Sequence, residues 1–369
     1  MVNAAGFDAR PGGGVAAWTG PGEPPLTDAH LRTLLLSLIA GGVLTALGLP
    51  LGWMVGALLA TGYLALRGAA AVPALLRPAG LMVLGLTLGQ GFTAPVVEAV
   101  AAELPAMLAG GMAVLLVGLA VAPLYRRLSG SDGRTAFFAT MPGGVVAMAM
   151  LAAQVGAAVP AVTLAQSIRM ALVVVAYPAL TVLIAAPGGA TVFDAALPAV
   201  EWGGLALLLA GGAAAAWVGG RIGLANAALL APCLLAMGLS AGGALPSAVP
   251  RGLVDAAQLA MGASIGMHLA REGMGGAPRR LALAGLASAV VMALLSVLAG
   301  LVLGWLAGLP VAAVVLGLAP GGMPEMVVTA QALTLAVPLV LGFQLVRMVL
   351  CHLLVGPLWR LASGLGMLR

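Results

Sequence analysis

Twice, this chain sets Pro-Gly-Gly in the middle of an apolar stretch: MPGGVVAM at residues 141–148 and APGGMPEM at 319–326. Pro removes a backbone donor and Gly weakens a helix by about 1 kcal/mol relative to Ala, so each tripeptide breaks a helix where it stands. Breaks of this kind are costly in a bilayer. Non-helical backbone at membrane depth is tolerated only where it is buried in protein or lines a water-filled cavity.

The bilayer is the setting that the composition demands. Of 369 residues, 62% are hydrophobic and only 7% charged, far below the charge of a soluble domain. Apolar runs fall near 31–48, 51–66, 75–95, 104–125, 160–184, 202–220, 225–243, 252–270, 281–306 and 337–359. They are Leu-, Ala-, Val- and Gly-rich and too long for barrel strands, which alternate over about ten residues. An all-α polytopic membrane protein is expected. Residues 1–30 mix Gly, Pro and charge without an apolar core, and read as a disordered cytoplasmic tail rather than a cleaved signal.

Two shorter apolar stretches, 134–157 and 311–334, remain, and each has PGG near its middle. Set in register at an offset of 178, residues 142–170 and 320–348 are identical at 12 of 29 positions. The matches include Met148/Met326, Pro160/Pro338, Gln166/Gln344, Arg169/Arg347 and Met170/Met348. Upstream, an offset of 175 aligns Gly91 with Gly266. The chain reads as an internal duplication, with membrane repeats over 31–190 and 201–369.

Charge decides how the repeats face. If each PGG stretch dips into the bilayer and returns, each half has five spans and the halves are inverted. Then Arg10, Arg32, Arg67, Arg77, Arg126, Arg127, Arg134, Arg221, Arg271, Arg279, Arg280, Arg360 and Arg369 are cytoplasmic and Arg251 alone is outside, with Arg169 and Arg347 inside spans. If each PGG stretch crosses fully, Arg221, Arg271, Arg279 and Arg280 move outside. The positive-inside rule selects the first arrangement, with both termini cytoplasmic. Length agrees: limbs of ~8–12 residues reach ~12–18 Å as helices, about half of a ~30 Å hydrocarbon core. Two re-entrant hairpins are therefore expected, entering from opposite faces with PGG at each tip.

A half-helix beginning at PGG presents free N–H groups and the positive end of its dipole at mid-depth, with Pro suited to the first helical position. Paired tips of this kind favour an anion such as a carboxylate. Inverted repeats whose broken helices meet at the midplane are a recurring plan of secondary transporters. The candidate binding set is Pro142, Gly143, Gly144, Gln166 and Arg169 with Pro320, Gly321, Gly322, Gln344 and Arg347. Each Arg follows a Gln by three residues, on the same helix face. An intramembrane Arg faces a partner or an aqueous cavity; the alternative is that each Arg caps the last carbonyls of a hairpin limb and holds the fold. Glu325 has Ala147 as its counterpart. It either pairs with Arg347, or is a protonatable group that couples a proton or cation to the solute. Gln90, Asp255 and His268 read as interfacial, and Met148, Met150, Met326 and Met348 as core filler.

Other classes find no support. Cys233 and Cys351 fall in apolar runs as buried thiols, and His30, His268 and His352 are scattered without ligand spacing, so no metal and no cofactor is expected. No basic cluster interleaved with aromatics suggests nucleic acid. An oligomer is compatible with the sequence.

The duplicated segments MPGGVVAMAM…VTLAQSIRM and APGGMPEMVV…LGFQLVRM resemble the AbrB family of bacterial inner-membrane proteins, also labelled ammonia monooxygenase or transcriptional regulator. The resemblance covers residue 31 onward. It implies a multi-pass protein of the bacterial inner membrane, with an acidic residue expected where Ala147 stands. Three isolated His and two Cys do not build the copper or iron site that a monooxygenase needs. The expected function is transport of a small anionic metabolite; the alternative is a membrane sensor or regulator that influences gene expression without transport.

Overall fold

The computed structural model describes residues 27–49, 51–184, 197–224, 226–273 and 279–364. Among these residues the chain is entirely helical: α1 (Asp28–Ala46), α2 (Gly52–Leu66), α3 (Leu76–Gly89), α4 (Ala94–Ala102), α5 (Leu104–Ser129), α6 (Gly133–Thr140), α7 (Val145–Gln154), α8 (Val159–Ile184), α9 (Trp202–Arg221), α10 (Ala227–Ala241), α11 (Arg251–Gly273), α12 (Arg279–Ala307), α13 (Val311–Leu318), α14 (Met323–Ala332) and α15 (Val337–Gly364). Six helices, α1, α5, α8, α9, α12 and α15, are long and apolar enough to cross a membrane. The helices α2 and α10 are apolar but have only 15 residues each.

Two boundaries differ from the sequence expectation. The first helix starts at Asp28 rather than after residue 30, because Thr27 caps it: the Thr27 N–H donates to His30 Nδ1 at 3.1 Å, and the two side chains meet at 2.8 Å. This is a capping box with His in the third helical position. The rest of the expected tail, 1–26 with Arg10, lies outside the described residues, as do Asp194 and Arg369. The expected run 75–95 is not one helix. It breaks after Gly89, and α4 leaves at 90° to α3. Buried Gln90 holds the bend, accepting through Oε1 from the Val249 N–H at 3.0 Å, while its own carbonyl accepts from Ser240 Oγ at 2.7 Å.

Packing follows one scheme in both parts of the chain. Helix α1 packs on α2 as α9 packs on α10, and α2 packs on α11 as α10 packs on α3. Similarly α8 lies on α12 and α15 on α5, with α5 against α12 between them. Small residues allow these approaches: a Cβ on Gly56 would collide with the α1 backbone at Gly41, and one on Gly89 with the carbonyl of Cys233. The outer surface is apolar, with Leu183, Leu207, Ile222 and Leu306 well exposed. Trp202 and Trp305 stand exposed, near the start of α9 and the end of α12, while Arg221 lies over the Trp217 ring and Arg67 over the Tyr63 ring, each guanidinium 4.5 Å from the centroid.

Candidate functional site

Both PGG segments break the chain in the same way. Pro142 disfavours helical backbone at the residue before it, so Met141 turns extended (φ −64°, ψ 130°) and α6 ends at Thr140. Ala319 does the same before Pro320 (φ −54°, ψ 128°), ending α13 at Leu318. The next helices begin after both glycines, with Gly144 capping α7 (φ −69°, ψ 142°) and Gly322 capping α14 (φ −69°, ψ 138°). The tripeptide's Pro is therefore not at the first helical position, as the sequence suggested, but in the extended link two residues before the cap. The break leaves two sets of unpaired groups: carbonyls at the ends of α6 and α13, and N–H groups at the starts of α7 and α14.

The Gln-x-x-Arg pairs serve the carbonyls. Gln166 Nε2 donates to Phe138 O at 2.7 Å and Met141 O at 2.9 Å. Arg169 donates from Nη1 to Met141 O at 2.9 Å and from Nη2 to Gly143 O at 3.1 Å. In the second segment, Gln344 Nε2 donates to Leu316 O at 2.9 Å and Ala319 O at 3.5 Å. Arg347 Nη1 donates to Ala319 O, and Nη2 to Gly321 O at 3.0 Å and to Gln344 Oε1 at 2.6 Å. Every acceptor carbonyl in one set is 178 residues from its counterpart in the other. All four side chains are at most 5% exposed. This is the geometry of the capping alternative, and it shows why Gln and Arg share a face: each pair spans the last carbonyls of one limb.

What remains uncommitted is a short inventory. Arg169 Nε, Arg347 Nε, Gln166 Oε1, Ser288 Oγ and Glu325 Oε2 are buried without hydrogen-bond partners. A cavity of about 10 Å³, room for about one water, lies beside Arg169 and is lined by Tyr125, Thr140, Ser288 and Met292 among others. The expected Glu325–Arg347 pairing is not how Arg347 is used: its Nη donors go to the tip carbonyls and Gln344. The Glu325 side chain, 2% exposed, instead folds back over its own helix start, where a Cβ on Gly322 would collide with Oε2.

The tips also differ in surroundings. Pro142 and Pro320 are both buried, but Gly144 is exposed and Gly322 half-buried. Residues Met323–Ala330 of α14 are all buried, against α3, α8, α13 and α15. In α7, Met148 and Ala152 are buried, whereas Met150 is 54% exposed rather than core filler. Val173 of α8 closes on Gly321, and Gly118 of α5 on Pro142 and Thr140 O.

Several groups that place the site were not singled out from the sequence. Asp132 caps α6 by accepting from the Thr135 N–H at 3.0 Å. Arg134 Nη1 donates to Val155 O at 2.9 Å, and the Ala158 N–H donates to Thr135 Oγ1 at 2.9 Å. These bonds tie the start of α6 to the end of α7. Trp359 of α15 stacks near Phe137 and Phe138 of α6, with centroids at 5.3 and 5.6 Å. The signal for the first group was present in Asp132 and the Gly130-Ser131 turn; the second is a long-range contact with none. Cys233 and Cys351 are free and buried, as expected. No cluster of His, Cys, Asp and Glu able to hold a metal occurs among the described residues. The side chain of His268 lies outside the description; Asp255 is half-buried near the start of α11.

Comparison with known proteins places this geometry. The family model described as "Transition state regulatory protein AbrB" matches residues 53–363. The chain is similar to "Uncharacterized protein YhjN" of Bacillus subtilis (strain 168), 29% identical over 373 aligned residues, covering 90% of this chain and 92% of that protein. It is also similar to "Putative regulator AbrB" of Escherichia coli (strain K12), 30% identical over 162 residues, covering 42% of this chain and 46% of that protein. Neither relative carries the name of an enzyme.

Proposed function

The chain belongs to the AbrB family, and we propose that it is a secondary transporter that moves a small anionic metabolite through a mid-depth site at the two PGG tips. In this reading residues 31–190 and 201–369 are inverted repeats, each of five transmembrane helices and one re-entrant hairpin, in a bacterial inner membrane with both termini cytoplasmic. The observation that carries it is the matched pair of helix breaks: the same carbonyls, held by the same Gln and Arg at one constant spacing. A break that is built twice and pinned so fully has a use for the amides it frees.

Two further observations support the hairpin reading. The Arg134–Val155 and Thr135–Ala158 bonds bring the outer ends of α6 and α7 together, which suits a chain that returns to the face it came from. The helix contacts of the first part recur in the second with the partners exchanged, α2 on α11 and α10 on α3, as an internal two-fold would require.

The division of labour follows from the bonds. Gln166, Arg169, Gln344 and Arg347 hold the tips open; Gly143, Gly144, Gly321 and Gly322 leave room; the first amides of α7 and α14 face the solute. Pro142 and Pro320 set the break. The cavity beside Arg169 admits about one water and lies among α5, α6, α8 and α12, so an organic anion at the amides of α7 and α14 needs the hairpins to move to make room.

Proteoliposomes test the proposal. A gradient-driven flux of organic anions, lost on Gly144→Trp, is the expected result. Anion binding with no flux under any imposed gradient would instead make the protein a membrane sensor.

A further inference from the structure

The two tips share a backbone course but not a charge, and a coupling rule follows from that difference if the tips are the solute site. Glu325 occupies the third helical position of α14, where α7 has Ala147. Both carboxylate oxygens lie against the helix start, over the position that a Cβ on Gly322 would take. Of these Oε2 has no hydrogen-bond partner, on a side chain only 2% exposed. A carboxylate folded onto the first turn of a helix stands where an external anion would sit, because the same free amides and dipole attract either.

The elements packed on α14 do not answer that charge directly. Helix α13 carries no titratable side chain. On α8, Arg169 is committed to the first tip and Tyr177 donates to Ala293 O at 3.2 Å. On α15, Arg347 is committed to the second tip's carbonyls, His352 meets Met348 O at 2.8 Å, and Cys351 is a buried free thiol. On α3, Arg77 stands in the first turn and is half-buried. An ionised carboxylate with one oxygen empty is costly to bury, and a proton on Oε2 relieves that cost.

We infer that Glu325 is a built-in occupant of the second tip, released by protonation, so that an anion enters the α14 N-terminus together with one proton. The charge at the tip is conserved: a carboxylate before, a neutral acid and a bound anion after. The protein is then a proton–anion symporter, electroneutral for a monoanion.

The test uses full-length protein in detergent titrated with acetate and with succinate, following melting temperature and proton uptake by an indicator dye in weak buffer. The wild type takes up one proton per anion bound, and its apparent affinity falls about tenfold per pH unit on the alkaline side. Glu325→Gln binds with neither proton uptake nor pH slope. Binding by the wild type without proton uptake, or an unchanged slope in Glu325→Gln, overturns the coupling. Absence of binding in both proteins overturns the coupling and the solute site together. A second measurement isolates the occupancy itself: Gly322→Ala drives a Cβ into the Glu325 carboxylate, so it lowers the melting point of the wild type and is tolerated on a Glu325→Ala background. Gly144→Ala, with no atom within 4 Å of the added carbon, is tolerated in both. Equal loss from Gly322→Ala in both backgrounds overturns the occupancy.

Discussion

Gln166 and Arg169 share one acceptor, and that shared carbonyl makes their joint removal worse than the sum of single losses. Gln166→Leu deprives Phe138 O of its side-chain donor but leaves Met141 O with Arg169. One buried carbonyl loses a partner, at a cost of about 1–2 kcal/mol. Arg169→Met deprives Gly143 O and leaves Met141 O with Gln166. The lost bonds are charge-assisted, but a desolvated cation is removed with them, so the net cost is about 2–3 kcal/mol. The double variant removes both side-chain donors from Met141 O and leaves it only the Gly143 N–H at 2.8 Å, adding about 1 kcal/mol beyond the sum. The free, buried Cys233 and Cys351 supply the assay, since a thiol-reactive dye labels them as the fold opens. Melting points should fall in the order Gln166→Leu, Arg169→Met, double, with the double shift exceeding the sum of the other two. Strictly additive shifts would refute a shared carbonyl, and a flat response to Arg169→Met would refute the pinning role outright. The equivalent cycle at Gln344 and Arg347 should behave alike, with a larger coupling because Arg347 also bonds Gln344 Oε1 at 2.6 Å.

Three further predictions use other contacts. Single cysteines at Ser131 and Gly156, on a Cys233→Ser/Cys351→Ser background, should label from one face and those at Gly308 and Thr334 from the opposite face; labels at 131 and 156 from opposite faces would make α6–α7 a full crossing. Gly118→Val should cost about 2 kcal/mol and lower the melting point, because its Cβ would lie 2.7 Å from Pro142 Cδ and 2.9 Å from Thr140 O. Ala147→Glu places a carboxylate on the free α7 N-terminus, so anion-induced stabilisation should weaken at neutral pH and recover on acidification; stabilisation unchanged across pH would place the solute elsewhere.

How much of this was legible in the sequence depends on the range of the interaction. Nine of the ten apolar runs gave one helix each, because burial in lipid is a local requirement that each segment meets by itself. The break at PGG was legible for the same reason, since Pro acts on the residue before it. The right-angle turn after Gly89 was not, although Thr93 and Pro95 form an N-cap and early-Pro signal that marks a new helix. Its cause is Gln90 meeting Ser240 and Val249, some 150 residues away, and periodicity holds no trace of such a contact. At the PGG breaks, the matched register of the two segments located Gln166, Arg169, Gln344 and Arg347 but left their role open, because spacing fixes a shared face and not what that face meets.

The two matched PGG segments also differ in what each break requires. The Gln and Arg recur because each break leaves the same carbonyls in need of donors, whatever the site then binds; losing Gln166 would leave Phe138 O, and losing Arg169 or Arg347 would leave Gly143 O or Gly321 O, without its side-chain donor. The third helical position is under no such demand. Ala147 and Glu325 start equivalent helices after equivalent caps, and both helices form. A carboxylate buried at one of them, with an oxygen unpartnered, stabilises nothing that the other tip lacks. A structural account would keep the acid in both halves or in neither. Its presence in one alone, on the tip that is buried rather than the tip that is exposed, is what the proposed carrier would need to make the two positive ends unequal, so that one of them would answer to protons.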